Sequence, residues 1–507
     1  MLPKDKSNAT HLSLIFYVLT TSDQMNKAIG TVTMRPNWKT SIFIICIVFN
    51  ASIAFPADSV TRQGITWTFD KDYTTGTYAN GDYWVVGPVT IKSISPPPSF
   101  GRNGTVVNPT LGRKQGFDDR ISTYNKYSHS LNTGANLPLS IQPNSSVVSS
   151  ISKPSNTAHE QIKTYAILTV INSTPSTNSF RPAPIGGDYS HPWQESMLNY
   201  GILPNMARSQ ISEPTLSTST DNFSNTWFEQ DLTWTGRYLH PAYMGNQNGY
   251  GKGIAIMTGT AILQLSLDYP IEKKRNLLVN FVQYGIDIHG LITAGGRWNA
   301  DGGHNPGRLS PAIVAAATLN DSLFLENISS QEMNFQELQQ TFYVSQTTVD
   351  TIHSGNKPPY LEYESSHIGM PEWGIRHFSL PTTDNRYWTS AYRDIAGGVL
   401  QAPAIAARLM GLRPIIDHDP FFDYAERHLY YRLGRYTNPE YYNGYDDGDA
   451  YGAGPTKRSN PFSSNDVPSF HKEFYVAFET EKATTAPNSP SQNTAPNSPS
   501  QLSASNK

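Results

Sequence analysis

The hydrophobic pattern of this chain changes its period part-way along, and that change limits the possible folds more than any other feature. Between residues 58 and 181, β-branched and aromatic residues form short runs separated by Pro, Gly, Asn and Ser. Runs of this length between turn-forming residues are typical of strands. The clearest examples are Ile65–Phe69, Tyr83–Val86, Val89–Ile91 and Tyr165–Ile171. The sequence therefore predicts a β-rich region over residues 58–181.

Beyond about Asn225 the apolar residues recur every three or four positions, which is the spacing of a helix face. Several of these segments are rich in Ala and Gly, which predicts close packing between helices. Long loops containing Gly, Trp and Tyr separate them, and this layout favours an (α/α)-toroid-like domain over 182–480 rather than an ordinary bundle. The predicted helices are Ile254–Leu265, Leu277–Ile292, Arg308–Asn320, Ser390–Gly411, Pro420–Arg435 and Val467–Glu479. The fold class that follows is α+β.

The two ends of the chain are predicted to lie outside this fold. A basic segment at Met34–Lys39, an apolar run at Ser41–Phe49 and a small-x-small signature at Ser52–Ala54 form a secretory signal. We assign residues 34–54 to that signal and expect 1–33 to precede the true start; a buried strand or an anchor is the alternative. Residues 481–507 are rich in Pro, Ser and Asn, and they are predicted to be a disordered tail. The expected location is extracellular or periplasmic.

Composition removes several classes of function. The single cysteine, Cys46, lies inside the predicted signal, so the mature chain would hold neither disulfides nor thiolate chemistry. The formal net charge is −3 and no basic block is present, which argues against a nucleic-acid partner. No segment after the signal is apolar enough to span a membrane. Dinucleotide, phosphate-loop, HExxH and GxSxG motifs are absent from the sequence, and we predict neither a cofactor nor a metal.

The segment from Gly295 to Arg308 concentrates candidate site residues between two predicted helices. It contains five glycines, which let a backbone approach a ligand closely. Its polar side chains offer a proton acceptor and groups that bind a carboxylate, and its indole offers a stacking face. The candidates are Trp298, Asn299, Asp301, His304 and Arg308. The alternative is a connector in which the Asp caps a helix and the Trp packs.

Two further clusters combine aromatic and polar residues. Residues 236–250 contain Tyr238, His240 and Tyr243, which suit a polyhydroxylated ligand. Residues 384–394 contain Tyr387, Trp388, Tyr392 and Arg393, where a tyrosine near an arginine could exchange a proton. Aromatic packing is the alternative for the first cluster, and helix capping with an Arg–Asp pair is the alternative for the second.

Three segments carry a resemblance to known proteins. Gly76–Val89, Gly116–Arg120 and Gly302–Arg308 resemble a group of secreted proteins from environmental bacteria that has no established activity. The helical half is loosely similar to the α/α-toroid domains of polysaccharide lyases and six-hairpin glycosidases. A likeness at the level of fold implies neither a reaction nor a substrate.

The leading hypothesis from the residues is a secreted lyase that cleaves an acidic polysaccharide by β-elimination. Asn299 and Arg308 would neutralise the uronate carboxylate, and His304 or His240 would remove the C5 proton. Either Tyr243 or Tyr392 would then protonate the leaving oxygen. Trp298, Tyr387, Trp388, Arg393 and Tyr238 would hold the sugar.

Two alternatives to the lyase stay open. A glycoside hydrolase would need a carboxylate pair, with Asp301 opposite Glu372 or Asp394. A non-catalytic glycan-binding or cell-surface protein would need only a stacking surface. A structure separates these hypotheses, because both enzymes require His304, Arg308 and a residue from another loop to meet in one cleft. The oligomeric state is not predicted.

Overall fold

A computed structural model describes residues 54–99, 101–121, 125–155, 161–190, 192–208, 211–244, 251–350, 365, 368–374, 397–432 and 468–485. These residues belong to one unit that begins at Ala51. The predicted signal at 34–54 therefore lies outside the described residues except for Ala54, as do residues 1–33. Among the helices that are described, none is both long enough and apolar enough to cross a membrane.

The N-terminal part of the fold is an eight-stranded sheet, a half-barrel, so the predicted β-rich region is confirmed. Strand order is β5-β7-β8-β3-β2-β4-β6, with β1 paired to β2. β3 and β8 run parallel, and the other pairs are antiparallel. The strands are β1 (Phe55–Arg62), β2 (Ile65–Thr77), β3 (Tyr83–Val86), β4 (Val89–Ser95), β5 (Thr105–Val107), β6 (Leu139–Ile141), β7 (Ser145–Ser152) and β8 (Ile162–Ile171).

Strand β8 is apolar almost throughout because both of its faces are buried. Tyr165 and Ile167 belong to the large core that the sheet shares with the helices. Ala166 and Leu168 point to the opposite face and join a second core, built around Trp67 of β2. Successive side chains of a strand alternate between the two faces of a sheet, so a strand that is buried on both faces needs apolar residues at every position. One face of the sheet therefore packs on the helices, and the other face encloses a core of its own.

The helical region contains eleven α-helices within the described residues. The helices predicted at Ile254–Leu265, Leu277–Ile292 and Arg308–Asn320 are confirmed, although an (α/α)-toroid arrangement is not established. Their bounds are α1 (Leu216–Ser224), α2 (Lys252–Leu265), α3 (Ile271–Thr293), α4 (Leu309–Leu319), α5 (Ser322–Asn327), α6 (Gln336–Gln339), α7 (Gln346–Asp350), α8 (Gln401–Leu409), α9 (Arg413–Ile416), α10 (Asp419–Arg432) and α11 (Ser469–Thr485). β9 (Thr341–Tyr343) and β10 (Pro371–Trp373) pair antiparallel as a separate two-stranded sheet.

The last helix, α11, extends to Thr485 and so includes the first residues of the segment predicted to be a tail. The rest of that segment, 486–507, lies outside the described residues. The helix predicted over Ser390–Gly411 is described from residue 397 onward, where α8 occupies Gln401–Leu409. The prediction over Pro420–Arg435 corresponds to α10, and that over Val467–Glu479 corresponds to α11.

Close packing of α3 on α4 depends on a glycine in the middle of α3. A Cβ atom added at Gly285 would lie 2.5 Å from the Cβ of Ala315 and 2.6 Å from the carbonyl oxygen of Pro311. Every residue of α4 is buried, so α4 has little room to move away. The Ala- and Gly-rich composition therefore does produce close helix–helix contact here, as the sequence predicts.

We expect Gly285→Ala to destabilise the protein. Alanine in a helix interior normally stabilises by about 1 kcal/mol relative to glycine, but overpacking a tight core costs about 1–3 kcal/mol. Chemical unfolding of the variant should therefore show a net loss. The control is Gly295→Ala: this glycine has a positive φ but an open neighbourhood, so any loss there reports backbone strain alone. A Gly285→Ala variant as stable as the wild type would contradict the packing argument.

A buried chain of charges links the sheet to α3. Arg62 at the end of β1 and Arg181 after β8 both donate to Asp82, at 2.9 and 2.8 Å. Arg181 also donates to Asp287 of α3 at 2.6 Å, and Gln283 donates to the same carboxylate at 3.2 Å. Because Arg181 and Asp82 are each 1% exposed, this chain lies almost wholly in the interior.

The pKa values of the two carboxylates in this chain of charges, Asp82 and Asp287, are shifted in opposite directions. Burial favours protonation of Asp82, but the charges of Arg62 and Arg181 outweigh it and hold the pKa below its usual value. At Asp287 burial dominates over Arg181 and raises the pKa to about 6. The charge of Arg181 is thus shared between two carboxylates, and Asp82, which has a second arginine, is the more strongly stabilised as an anion.

Candidate functional site

The segment before Tyr238 is organised by one buried carboxylate. Asp231 accepts hydrogen bonds from the backbone and hydroxyl of Thr233, at 3.0 and 2.8 Å, and from the hydroxyl of Thr235 at 2.5 Å. Asn125 donates to the same carboxylate at 2.7 Å. A short 3₁₀ helix, Trp234–Tyr238, follows, and the hydroxyl of Thr233 caps it by accepting from the N–H of Thr235. The carboxylate therefore positions the aromatic residues that follow it.

The glycine-rich loop after α3 is held in shape by the side chains of α6. Gln336 accepts from the backbone N–H groups of Asp301 and Asn305, both at 3.1 Å, and donates to the carbonyl of Gly302 at 2.9 Å. Gln339 accepts from the N–H of Ala300 at 2.9 Å. A loop whose backbone groups bond to a neighbouring helix has a defined conformation rather than a mobile one.

Gly307 ends this loop where it crosses α2. Its φ is +106°, and an added Cβ would lie 2.6 Å from the backbone nitrogen of Ala255. The N–H of Gly307 donates to the buried carboxylate of Glu337 at 2.6 Å. Both the positive φ and the close approach require glycine, which gives a structural reason for this part of the glycine-rich motif.

Three of the predicted site residues converge on a glutamate that sequence analysis did not select. Glu229 lies 2.7 Å from the Nη2 of Arg308 and 3.3 Å from the Nε2 of His240. It also accepts from the hydroxyl of Tyr284 at 2.7 Å and from the indole N–H of Trp298 at 3.4 Å. All five side chains are buried. We call these five residues the Glu229 hub.

Within the Glu229 hub, Glu229 and Arg308 form a buried ion pair in which both groups stay charged. Burial alone would raise the pKa of Glu229, but the charge of Arg308 and the hydrogen bond from His240 outweigh it and hold the pKa far below its usual value. Burial likewise disfavours the charged form of Arg308, and the adjacent Glu229 more than compensates, so the pKa of Arg308 is raised. The guanidinium of Arg308 thus already has a carboxylate partner inside the protein.

Trp298 also belongs to the interior. Its side chain is fully buried, and its ring stacks on Phe335 with the ring centres 5.9 Å apart. The indole therefore has no exposed face with which to stack on a sugar. The sequence gives little signal of the hub, because Glu229 stands in a stretch, 227–232, that is half polar, and nothing there reveals its partners.

Two of the predicted residues, Tyr238 and His304, lie in a half-buried patch at the surface, which we call the aromatic cluster. Its other members, Trp234 and Arg237, are not among the residues predicted from the sequence. The His304 ring lies 6.3 Å from the Trp234 ring, and the Arg237 guanidinium lies 5.1 Å from Trp234 and 4.8 Å from Tyr238. Arg237 also donates to the Tyr238 hydroxyl at 2.9 Å. The cluster thus joins the 3₁₀ helix to the tip of the glycine-rich loop.

The remaining predicted residues have distinct surroundings. Asn299 is exposed, and its amide oxygen accepts from Gln339 at 3.4 Å. Asp301 is half-buried in the same turn as His304, whose N–H donates to the Asp301 carbonyl at 3.1 Å. The hydroxyl of Tyr243 donates to the carbonyl of Thr226 at 2.7 Å, and burial raises its pKa well above the usual value. Tyr387, Trp388, Tyr392 and Arg393 lie outside the described residues.

Glu372, one of the two carboxylates that the hydrolase hypothesis places opposite Asp301, lies in the interior. Glu372 is fully buried, accepts from the N–H of Trp373 at 2.8 Å and lies 3.6 Å from Arg427. Asp394, the other candidate partner of Asp301, lies outside the described residues. A buried, paired Glu372 has no position from which to flank a glycosidic bond.

Comparison with family models, with curated proteins and with solved structures finds no match for this chain. Within the described residues, no group of three or more His, Cys, Asp and Glu side chains is arranged to hold a metal ion. Any inference about function therefore depends on the chemistry of the aromatic cluster and its neighbours.

Proposed function

We propose that this protein is a secreted enzyme that cleaves an acidic polysaccharide by β-elimination at the aromatic cluster. The observation that carries the proposal is the meeting, in one surface patch, of an indole, a phenol, a guanidinium and an imidazole. Aromatic faces pack against sugar rings, and a guanidinium matches the geometry of a carboxylate. These are the groups that a uronate-containing chain would require.

His304 and Arg308 do not meet in one cleft, as the sequence hypothesis requires, so in this proposal Arg237 takes the role that the sequence assigns to Arg308. The guanidinium of Arg308 is buried and paired with Glu229, whereas that of Arg237 lies half-buried over two aromatic rings. We infer that Arg237 binds the uronate carboxylate, with the exposed amide of Asn299, on the same loop as His304, as a second candidate ligand. Neutralising that carboxylate stabilises the carbanion-like state that forms when the C5 proton leaves.

His304 would act as the base and Tyr238 as the acid. The imidazole removes the C5 proton, the electron pair forms the C4–C5 double bond, and the C4–O bond breaks with its electrons on the leaving oxygen. Tyr238 then donates its phenolic proton to that oxygen, and Arg237, already hydrogen-bonded to the hydroxyl, stabilises the phenolate. The proton on His304 returns to Tyr238 through solvent, so the step is balanced.

The test is the ultraviolet absorbance of the unsaturated uronate, measured with the full chain and a panel of polygalacturonate, alginate and hyaluronate. We expect a steady rise, lowered about 100-fold or more in His304→Ala, because a general base contributes about 10²–10⁴ in rate. The matched control is His129→Ala, a surface histidine of the β-rich region, which should keep the full rate. Thermal unfolding of both variants checks that the fold is intact.

Three results would overturn the proposal. Equal rates in His304→Ala and in the wild type would remove the proposed base. New reducing ends without absorbance would indicate hydrolysis instead of elimination. Binding without any product would indicate a glycan-binding protein that holds its ligand on the same aromatic surface.

A further inference from the structure

Two surface loops of the β-rich region are fastened to the segment that leads into the aromatic cluster. The first loop is held by Gln230, which is 2% exposed. The side-chain amide of Gln230 donates to the carbonyls of Gly112 and Lys114, at 3.1 and 2.7 Å. Its backbone carbonyl accepts from the N–H of Gly112 at 2.7 Å. Because these backbone groups bond to a buried residue, the loop has a defined conformation.

The second loop is held by Asp231, the next residue along the chain. Asn125 donates to the carboxylate of Asp231 at 2.7 Å, and Lys126 follows Asn125 directly. The two loops are also joined to each other, because the N–H of Gln115 donates to the carbonyl of Lys126 at 3.0 Å. The residues just before Trp234 therefore position both loops.

The loops carry exposed basic side chains. Arg113, Lys114 and Lys126 are exposed, and none of them forms an ion pair with a described residue. The Nη2 of Arg113 donates to the hydroxyl of Thr233 at 3.2 Å, so this guanidinium reaches the residue next to Trp234. A guanidinium has five N–H donors, and this single bond leaves the others available to a ligand.

The carboxylates close to these loops leave the surface positively charged. Asp231 is buried and accepts its hydrogen bonds from amide, hydroxyl and backbone groups, which carry no charge. Asp301 of the glycine-rich loop adds a second negative charge. Against these two stand the three exposed cations of the loops, and Arg237 of the aromatic cluster is a fourth. A ligand with several negative charges gains most from such a surface.

We propose that Arg113, Lys114 and Lys126 form a second anion-binding subsite, which holds a uronate carboxylate outside the unit that is cleaved. The inference deepens the proposed function and rests on it, since the ligand is the same acidic chain. A polyuronate repeats its carboxylate along its length, so a chain packed on Trp234 carries further charges past Thr233 toward the loops. The subsite selects long acidic chains and touches no reacting atom.

The test is calorimetric titration of the full chain carrying His304→Ala, which prevents turnover, with hexagalacturonate, hexamannuronate and a hyaluronate hexasaccharide. We expect at least one acidic hexamer to bind. Adding Arg113→Gln, Lys114→Gln and Lys126→Gln together should weaken it about tenfold, because exposed ion pairs contribute little singly and three act at once. The affinity should fall as salt rises from about 50 to about 500 mM, and less steeply in the triple variant.

The matched control replaces three lysines elsewhere, Lys71, Lys92 and Lys273, by glutamine. They are exposed and lie in β2, β4 and α3, so the net charge changes equally while the loops stay intact. Affinity in this control should stay within about twofold of the parent. Cellohexaose, a neutral chain of the same length, should bind no more weakly to the loop variant than to the parent.

The inference is overturned if no acidic hexamer binds, if the loop variant binds as tightly as the parent, or if both triple variants lose affinity equally. Its failure is distinct from that of the proposed function. Elimination in the otherwise unaltered chain, with affinity independent of the loops, would reject the subsite alone. Loop-dependent binding without elimination would reject the cleavage and retain the subsite as part of a surface that binds acidic glycans.

Discussion

Replacing Glu229 with Gln is expected to lower the free energy of unfolding by about 3–5 kcal/mol, the cost of breaking a buried ion pair from one side. The variant leaves the buried guanidinium of Arg308 without a negative partner, and it weakens the hydrogen bonds from Tyr284 and Trp298. Arg308 cannot lose its proton to escape this penalty, because a guanidinium stays protonated in proteins. Chemical unfolding followed by tryptophan fluorescence would measure the loss.

The control for Glu229 is Glu332→Gln. Glu332 is 38% exposed, and its carboxylate lies 3.5 Å from Arg297, so solvent screens the pair. An exposed ion pair contributes about 0–1 kcal/mol, and the control should stay within that range. Equal losses in the two variants would mean that the Glu229 hub is not buried as described. A double replacement of Glu229 and Arg308 by apolar residues should recover part of the loss, since neither charge then remains unpaired.

Arg181→Met is expected to have an effect of similar size, about 3–5 kcal/mol, because it removes the cation shared by two buried carboxylates. Asp82 keeps Arg62, but Asp287 keeps only the amide of Gln283. Asp287 already has its pKa raised to about 6, and without Arg181 the anion is less favoured still. The buried charges Asp82, Arg181 and Asp287 join the sheet to α3. We therefore expect the variant to loosen the contact between the β-rich and helical regions.

The raised pKa of Asp287 determines how the stability of Arg181→Met depends on pH. A carboxyl group whose pKa is higher in the folded state binds a proton more readily when folded, so its contribution to stability falls as pH rises through the folded pKa. The deficit of the variant should therefore be larger at about pH 8 than at about pH 5. Arg413→Met, at an arginine 36% exposed, is the control and should show a loss of less than about 1 kcal/mol. A deficit in Arg181→Met that does not vary with pH would contradict the assignment to Asp287.

The sequence predicts the candidate site unevenly. The segment from Gly295 to Arg308 stands out for its concentration of polar and aromatic residues, and the structure divides those residues between two surroundings. Trp298 and Arg308 point inward to the Glu229 hub, whereas His304 lies at the surface beside Trp234. Composition does not predict this division. The inward direction of Trp298 and Arg308 is set by Glu229, which lies 79 residues before Arg308 in the chain.

The regular elements were determined locally. Short apolar runs between turn-forming residues predict the strands at Tyr83–Val86 and Val89–Ile91, and helical periodicity predicts α2, α3 and α4. These patterns can be read from the sequence because burying one face of a strand or of a helix requires apolar residues at a fixed spacing. Only the tertiary structure decided which charges are paired and which glycines have no room for a side chain. Those features depend on residues that are far apart in sequence and adjacent in space, and neither period nor composition records that adjacency.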